Sequence, residues 1–234
     1  MKIALLGYGR MGKEIEKIAL KRGHSIVIKA DVNSSYNITD ADVAIDFSIP
    51  TAAVSNISNC LNSKVAVISG TTGWLDAYED IVSLCEKSEG AFLYASNFSL
   101  GVNITFEINK QLARLMQSQS QYNLEIEEIH HTQKLDAPSG TAISLAEDII
   151  NETNYRSWSI DEKGKHTIPI TSKRIEGVPG THTIKYTSDE DSISLNHTAN
   201  NRKGFALGAV IAAEWILDKT GVFSMKDVLN ITNE

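Results

Sequence analysis

Short runs of Ile, Val, Leu and Ala recur along the first hundred residues, and polar residues do not alternate with apolar ones inside them. Such runs are typical of strands that are buried on both faces of a sheet. Between the runs, apolar residues recur at helical spacing over residues 11–19 and 54–61; Gly23 can end the first helix and Pro50 can start the second. This alternation predicts a parallel sheet with right-handed crossovers. Its strands are predicted at residues 2–6, 25–30, 41–47, 64–69 and 91–94.

The pattern changes after Asn97. Apolar residues at helical spacing over residues 104–115 predict a helix, and the apolar residues that follow alternate with charged ones, as in an antiparallel strand with one face in water. Residues 151–165 are polar and predict a loop, whereas residues 204–217 return to helical spacing and Ser224 can cap a short last helix. Strands of the second sheet are predicted at residues 123–129, 167–175, 182–187 and 192–197.

These two changes of pattern predict one domain inserted into another. The first domain is expected to be an α/β domain on a parallel sheet and to comprise residues 1–98 and 204–234. The inserted domain, at residues 99–203, is expected to be an α+β domain built on a mixed or antiparallel sheet. The chain contains no internal repeat and no low-complexity segment.

A glycine-rich segment directly follows the first predicted strand and opens the first predicted helix. In a dinucleotide site of the Rossmann type, the first glycine makes a tight turn, the second lets the backbone approach the pyrophosphate, and the third lets helix and strand pack closely. Glycines also occur in ordinary turns, so it is their placement that favours a nucleotide. The predicted cofactor-binding residues of this segment are Gly7, Tyr8, Gly9, Arg10, Met11 and Gly12.

Asp31 ends the second predicted strand, at the position where a carboxylate hydrogen-bonds the ribose 2′-hydroxyl in dinucleotide sites. The same carboxylate repels the 2′-phosphate of NADP, and Val32 follows it where an arginine would pair with that phosphate. We therefore expect NADH to be the preferred cofactor. Lys29 or Arg10 reaching a 2′-phosphate is the alternative, which keeps NADPH as a possible cofactor.

Two more polar segments end predicted strands, where open parallel sheets gather their ligands. Gly70, Thr71 and Thr72 follow the strand at residues 64–69, and a plain strand-to-helix turn explains them equally well. The next segment lies at the predicted domain junction, where backbone groups and the Asn97 amide are candidates for contacts with a nicotinamide carboxamide. The residues of that segment are Ala95, Ser96, Asn97 and Phe98.

Two adjacent histidines, His130 and His131, precede Lys134. Neighbouring strand residues point to opposite faces, and no acidic or histidine cluster at metal-ligand spacing accompanies the pair, so we expect no metal site. If the chain turns at the end of the strand, the three side chains can converge around one pocket. They would supply a group that titrates near neutral pH together with fixed positive charge.

Ser139, Gly140 and Thr141 open the next predicted helix, and the N–H groups at a helix N-terminus attract anions. With the histidines and the lysine, they favour a small anionic substrate, most simply a carboxylate. A turn followed by an N-cap is the alternative interpretation of this segment, and capping is the expected individual role of Ser139 or Thr141.

The composition excludes other classes of function. The chain has 234 residues with a formal net charge of −7 and a sequence pI near 5.4, so it lacks the positive field of nucleic-acid-binding proteins. No run approaches roughly 18 apolar residues, and residues 1–24 lack a signal-peptide pattern, so we expect no membrane association. Cys60 and Cys85 show no disulfide or zinc spacing. We expect a cytoplasmic protein.

The residues around the histidine pair resemble the signature of a known family, the 4-hydroxy-tetrahydrodipicolinate reductases, also called dihydrodipicolinate reductases. The similar residues are the histidine pair with Glu128, Lys134 and the run DAPSGTA at residues 136–142. The similarity covers essentially the whole chain. It also includes Gly9-Arg10-Met11-Gly12, Asp46-Phe47-Ser48, Gly70-Thr71-Thr72-Gly73, Asn97-Phe98-Ser99 with Gly101, and Phe205-Ala206 with Gly208-Ala209.

The resemblance implies an enzyme of diaminopimelate and lysine biosynthesis that reduces a cyclic, unsaturated imine dicarboxylate to tetrahydrodipicolinate with NAD(P)H. It implies that His130 is the proton donor or acceptor and that Lys134 is a second proton donor. It also implies that His131 is a substrate ligand and that Gly140 and Thr141 cradle a carboxylate. The implied fold is a Rossmann domain with an inserted domain that binds substrate and builds a homotetramer.

Two departures from the family pattern concern the nucleotide end. The glycine loop is one residue shorter than the usual form, and the chain is shorter than typical after Asp31. Arg202 and His197 fall where members carry similar residues, and Arg202 is a further candidate for contact with the cofactor.

Two other functions explain part of the sequence. Another two-domain NAD-dependent dehydrogenase of a small carboxylate accounts for the glycines and Asp31 but not for the histidine and lysine run. A non-catalytic NAD-sensing protein is the third possibility, and the joint presence of His130, Lys134 and Gly140 argues against it.

Overall fold

The computed structural model describes residues 1–31, 34–160, 164–201 and 203–231, and the chain divides into two compact units. The first unit comprises Met1–Leu100 and Lys203–Glu234, and the second comprises Gly101–Arg202. The interpretations of Val32 and Arg202 concern residues outside the described ranges.

Eleven strands and seven α-helices are found in the described part of the chain. The strands are β1 (Lys2–Leu6), β2 (Ser25–Ala30), β3 (Val43–Asp46), β4 (Ala66–Ser69), β5 (Ala91–Tyr94), β6 (Asn123–His130), β7 (Ser157–Ile160), β8 (Thr167–Arg174), β9 (Gly180–Thr187), β10 (Ser192–Ala199) and β11 (Gly221–Phe223). The helices are α1 (Arg10–Lys21), α2 (Pro50–Asn62), α3 (Tyr78–Lys87), α4 (Leu100–Met116), α5 (Gly140–Glu152), α6 (Lys203–Ile216) and α7 (Met225–Val228).

The first unit is built on a six-stranded parallel sheet with the strand order β11-β5-β4-β3-β1-β2. Its inner strands are apolar on both faces. In β1, Ile3 and Leu5 pack with α1 and α6, while Ala4 and Leu6 pack with α2. Because both faces are covered, the inner strands show no polar alternation, whereas the edge strand β2 exposes Val27 and Lys29. The predicted Rossmann-type α/β architecture is confirmed.

Close packing of α6 on the sheet depends on one glycine. A Cβ atom built at Gly208 would lie 1.7 Å from the carbonyl oxygen of Phe98. Phe98 is buried and its ring packs on Phe47 at a centroid distance of 5.6 Å. Helix α6 therefore rests directly on the backbone at the end of the segment 95–98.

The second unit contains a five-stranded mixed sheet with the order β10-β9-β6-β8-β7. Strand β6 pairs in parallel with β8 and in antiparallel with β9. The antiparallel arrangement expected for β6 is thus right on one side only. Side chains of α4 and α5 cover one face of the sheet, and their core includes Ala113, Leu145 and Ile149.

The apolar stripe that predicts α4 is not its buried face. Ile104 and Ile108 are each 45% exposed, and Leu115 is 73% exposed. The buried residues are Val102, Thr105, Asn109 and Ala113. Hydrophobicity alone therefore predicts the helix correctly but misses its orientation. Thr105 and Asn109 are buried, whereas of the predicted stripe at residues 104, 108, 112 and 115 only Leu112 packs against the core.

Three elements lie outside the sequence predictions. Strand β7 occupies part of the predicted loop at residues 151–165; it is a four-residue edge strand, too short for a clear period. Strand β11 adds three residues to the edge of the first sheet beside β5. Helix α3 buries Ile81 and Cys85. Within the described ranges, every helix is too short or too polar to cross a lipid bilayer.

Candidate functional site

The glycine loop between β1 and α1 has the geometry that its sequence predicts. Gly7 has φ +95°, a conformation that favours glycine, and a Cβ atom there would lie 2.1 Å from the Phe47 carbonyl oxygen. A Cβ atom at Gly12 would lie 2.4 Å from the Gly7 oxygen. Around Gly9 there is open space instead. Two glycines thus allow close packing, and the third leaves the backbone accessible to a ligand.

A cleft of about 360 Å³ lies beside this loop in the first unit. It is bounded by three turns that follow β1, β3 and β4, so it occupies the carboxyl edge of the sheet. The predicted residues on its wall are Gly9, Arg10, Met11, Gly70, Thr71 and Thr72. Phe47, Ser48 and Pro50 also form its wall and were not predicted as binding residues.

Asp31 is held next to the glycine loop by the backbone. The Gly7 N–H donates to the carbonyl of Ala30 at 3.0 Å, and Asp31 follows immediately. The Asp31 N–H donates to the Ser34 hydroxyl at 2.8 Å. The Asp31 side chain is exposed, as a ribose ligand has to be.

Tyr8 lies among charged side chains of the first unit. Its hydroxyl donates to the Glu16 carboxylate. The ammonium of Lys29 lies 5.1 Å from the Tyr8 ring centroid and 2.5 Å from the same carboxylate. Lys29 is therefore already engaged by Glu16, which weakens its candidacy as a phosphate ligand.

Asp46 connects the turns that line the cleft. Its carboxylate is fully buried at the end of β3 and accepts hydrogen bonds from the Ser48, Ser69 and Thr71 hydroxyls at 2.7, 2.9 and 2.7 Å. The Asn56 amide donates to it at 3.0 Å. The Thr71 hydroxyl in turn accepts from the Ser48 N–H at 2.9 Å. A buried carboxylate thus fixes two walls of the cleft, a role that sequence reasoning missed although an acidic residue ending an apolar strand is a visible signal.

The segment 95–98 lies at the end of β5, as predicted. The Ala95 N–H donates to the Ser69 carbonyl at 3.2 Å, and Asn97 Oδ1 accepts from the Ser99 N–H at 2.9 Å. Ser96 is exposed, whereas the Phe98 ring is buried in the core. Phe98 therefore contributes packing rather than an open binding surface.

In the second unit, His130 ends β6 and its ring is held from one side. Its Nδ1 contacts the carboxylate of Glu128, two residues earlier on the same face of the strand. Glu128 is fully buried, and its other oxygen accepts from Arg174 Nη1 at 2.9 Å. Because an ionised carboxylate only accepts hydrogen bonds, Nδ1 is the protonated nitrogen of neutral His130.

The predicted partners His131 and Lys134 follow in the turn after β6. The Nδ1 atom of His131 is buried and makes no hydrogen bond within the described residues. The Lys134 ammonium forms an ion pair with Asp136 at 2.7 Å. His131 thus has a ring nitrogen without a hydrogen-bond partner among the described residues. The Lys134 ammonium has a partner, Asp136, which a ligand would have to replace.

His182 links the histidine cluster to the start of α5. Its ring lies 5.1 Å from the ring of His130, and its Nε2 shares a hydrogen bond of 2.9 Å with the Ser139 hydroxyl. Ser139 is the N-cap of α5 and accepts from the Ala142 N–H at 3.2 Å. The N–H groups of Gly140 and Thr141 are the first of the helix and have no partner inside it. His182 was not predicted as a site residue, because nothing local marks it among alternating strand residues.

Burial and neighbouring charge determine the titration of these histidines. Burial lowers the pKa of His130, and Lys134 and Arg174 lower it further, while Glu128 acts in the opposite direction. Burial beside His130 lowers the pKa of His182 to about 4. Burial alone would raise the pKa of Glu128, but its hydrogen bond from Arg174 brings it below the ordinary value. At neutral pH the cluster therefore contains neutral imidazoles and one ionised carboxylate.

Glu128, His130 and His182 are also close enough to be considered as metal ligands. One ligand atom from each lies within 4.8 Å of the others. Both oxygens of Glu128 are already engaged, by Arg174 and by His130. The absence of a metal remains a prediction.

Two family models and two similar proteins relate both parts of the chain to the same group of reductases. The family model described as "Dihydrodipicolinate reductase, N-terminus" matches residues 1–98, and the one described as "Dihydrodipicolinate reductase, C-terminus" matches residues 101–229. A 4-hydroxy-tetrahydrodipicolinate reductase from Christiangramia forsetii is 55% identical over 98% of this chain and 98% of its own. One from Neisseria meningitidis is 33% identical over 93% of this chain and 85% of its own.

Solved structures share the fold. A dipicolinate-bound dihydrodipicolinate reductase from Paenisporosarcina sp. TG-14 aligns with a TM-score of 0.81 at 23% identity, over 99% of both chains. A probable dehydrogenase from Thermotoga maritima aligns with a TM-score of 0.60 at 11% identity, over 97% of this chain and 92% of its own.

The low pKa of His182 predicts a specific dependence of stability on pH. An unfolded histidine titrates near 6.5, so between about pH 6.5 and 4 the unfolded chain binds a proton that folded His182 does not, and the free energy of unfolding falls as the pH falls. This contribution is about 2 to 3 kcal/mol between pH 7 and pH 4.5. We expect His182→Gln to reduce the loss of stability between these pH values by that amount in urea unfolding.

The control is His166→Gln, at a histidine outside the cluster, which should leave the pH dependence unchanged. An acid-induced loss of stability as steep in His182→Gln as in the unaltered protein would contradict the assignment of His182 as a buried neutral group.

Proposed function

Because the chain belongs to the dihydrodipicolinate reductase family, we propose that it reduces 4-hydroxy-tetrahydrodipicolinate to tetrahydrodipicolinate with NAD(P)H, in lysine and diaminopimelate biosynthesis. The observation that supports this most strongly is the full-length relationship to a reductase of that name at 55% identity. The second unit adds a buried histidine with a carboxylate on Nδ1 and a lysine four residues later.

The first unit fits a dinucleotide. Open space at Gly9 and the cleft wall formed by Arg10, Met11, Thr71 and Thr72 would hold the pyrophosphate and the neighbouring riboses. Ala95, Ser96 and Asn97 would supply polar contacts at the next strand end. When bound, the nicotinamide cofactor supplies the hydride.

The second unit would bind the substrate and manage its proton. His131 with its unused Nδ1, and the N–H groups of Gly140 and Thr141, would hold the substrate carboxylates. His130 would exchange a proton through Nε2, since Nδ1 is directed to Glu128. Lys134 would provide a second proton and positive charge once a carboxylate competes for its ammonium group.

We further propose that NADH is preferred over NADPH. Asp31 is exposed directly beside the glycine loop, where its charge would accept from a ribose 2′-hydroxyl and repel a 2′-phosphate. Lys29, the alternative phosphate ligand, is paired with Glu16 at 2.5 Å.

A homotetramer is proposed for the assembly, and the cytoplasm for the location. Exposed or half-buried polar residues, among them Glu125, Lys185 and Asn196, occupy the strands of the second sheet on the face away from its helices, which leaves that face open to a second copy. Cys60 and Cys85 are buried and free, as in a reducing compartment.

Sedimentation equilibrium should give four times the 25.6 kDa chain mass; a monomer mass at micromolar concentration would contradict the tetramer.

The decisive test of the reaction is NADH oxidation in the presence of the compound that the preceding synthase forms from pyruvate and aspartate semialdehyde. We expect turnover in the unaltered protein and a decrease in kcat of about 100- to 10,000-fold in His130→Gln and in Lys134→Ala, because each removes a proton donor. His166→Gln and Lys165→Ala, in a turn of the same unit, are matched controls that should retain kcat.

The outcomes separate the competing functions. A folded protein that binds NADH but shows no turnover would favour an NAD sensor. Turnover with another small carboxylate and none with this substrate would favour a different dehydrogenase. Unchanged kcat in both variants would place the proton donor elsewhere.

The cofactor preference makes a second prediction. We expect kcat/KM to be higher with NADH than with NADPH, and Asp31→Ser to shift the ratio toward NADPH by about tenfold, since removing a nearby like charge is worth about 1.4 kcal/mol. Asp80→Ser, at an exposed acidic residue of α3, is the control and should leave the ratio unchanged. A preference for NADPH in the unaltered protein would refute the role of Asp31.

A further inference from the structure

One guanidinium group in the second unit contacts both Glu128, the partner of His130, and the turn that contains Lys134. Arg174 is the last residue of β8, directly opposite His130 in the parallel register with β6. Its Nη1 donates to Glu128 Oε1 at 2.9 Å, and its Nη2 donates to the carbonyl of Asp136 at 2.7 Å. Its Nε donates to the carbonyl of Lys134 at 3.3 Å. A single planar group therefore joins a strand carboxylate to the turn that follows the same strand.

The first consequence concerns His130. A carboxylate as deeply buried as Glu128 would take up a proton if it had no cation beside it. Arg174 supplies that cation, so Glu128 stays ionised and accepts the Nδ1 proton of His130. The exchangeable nitrogen of His130 is then Nε2. A Cβ atom at Gly180 would lie 3.0 Å from this nitrogen, so the missing side chain leaves Nε2 room.

The second consequence concerns Lys134. Its ammonium group pairs with the Asp136 carboxylate, and the backbone carbonyls of Lys134 and Asp136 both accept from Arg174. A lysine side chain at position 174 would carry one charge but not the fork of donors that reaches these separate acceptors. The Ile175 N–H also donates to the His130 carbonyl at 2.8 Å, which holds the end of β8 against the end of β6.

We propose that Arg174 and Glu128 are positioning residues of the reductase. Glu128 fixes the tautomer and orientation of His130, and Arg174 fixes Glu128 together with the turn that presents Lys134. This inference rests on the proposed function only for the roles of His130 and Lys134. The arrangement itself lies entirely within the second unit.

Two variants test the proposed roles of Glu128 and Arg174 separately. Glu128→Gln removes the charge beside His130, whose other charged or titratable neighbours are Lys134, Arg174 and His182. Arg174→Lys keeps a positive charge for Glu128 but loses the fork that binds the turn. Arg114→Lys is the matched control, since Arg114 also binds a carboxylate with two nitrogens, that of Glu152, on the helices α4 and α5.

Histidine-labelled protein without ligand should be studied by 15N NMR, with His130→Gln used to assign the resonance. We expect neutral His130 to be protonated on Nδ1 in the unaltered protein, and its titration midpoint to move to lower pH in Glu128→Gln because the nearby negative charge is lost. In the reductase assay, kcat should fall about 10- to 100-fold in both variants, with the KM for NADH unchanged, because proton donors are misplaced while the nucleotide cleft is intact.

The control Arg114→Lys should retain the midpoint and kcat. Protonation of neutral His130 on Nε2 in the unaltered protein, or an unchanged midpoint in Glu128→Gln, would overturn the role of Glu128. An unchanged kcat in Arg174→Lys would overturn the role of Arg174. If the unaltered protein shows the expected NMR behaviour but no reductase activity, the proposed function fails while the positioning of His130 by Glu128 is supported.

Discussion

A carboxylate that is removed from water has to be paired with a cation or surrounded by hydrogen-bond donors, and this constraint shapes the candidate site of each unit. In the first unit, Asp46 is surrounded by hydroxyl and amide donors from neighbouring turns. In the second, Glu128 is bound by one guanidinium and one imidazole. Asp46 ends a strand whose other residues are apolar, and Glu128 shares the buried face of its strand with Leu124, Ile126 and His130.

The two solutions suit different tasks. Neutral donors hold Asp46 without adding a net charge to the cleft, and they make its walls rigid, which favours recognition of a large cofactor by shape and backbone groups. The pairing of Glu128 with His130 keeps a titratable ring in a defined tautomer, which favours proton transfer. The proposed function thus assigns cofactor binding to one unit and acid-base chemistry to the other.

Much of the fold could be predicted because the spacing of apolar residues along the sequence reflects which positions of a strand or helix are buried. The predictions of β1, β2 and β5 agree with the structure to the residue, since these strands are short apolar runs between clear breaks. Strand β7 was missed because four edge residues do not establish a period. The orientation of α4 was missed because its buried face contains Thr105 and Asn109, which no measure of hydrophobicity would select.

The site was predictable to the extent that it is contiguous. His130, His131 and Lys134 lie in one short segment, so the sequence alone is enough to propose that they act together. Arg174 and His182 reach the same cluster only through the pairing of β6 with β8 and β9, which a single sequence does not reveal. Arg174, which pairs with Glu128, is therefore concealed by the sequence, whereas Glu128 itself lies in the contiguous segment.

The hydrogen bonds around Asp46 also restrict which substitutions the wall of the cleft can accept. Thr71 accepts from the backbone of residue 48 and donates to the carboxylate, so the turns after β3 and β4 share one acceptor group. Replacing a single donor would remove one of the two hydrogen bonds that each oxygen of this fully buried carboxylate accepts. Redesign of the proposed cofactor cleft therefore has to treat positions 48, 69 and 71 together, because all three side chains donate to the same carboxylate.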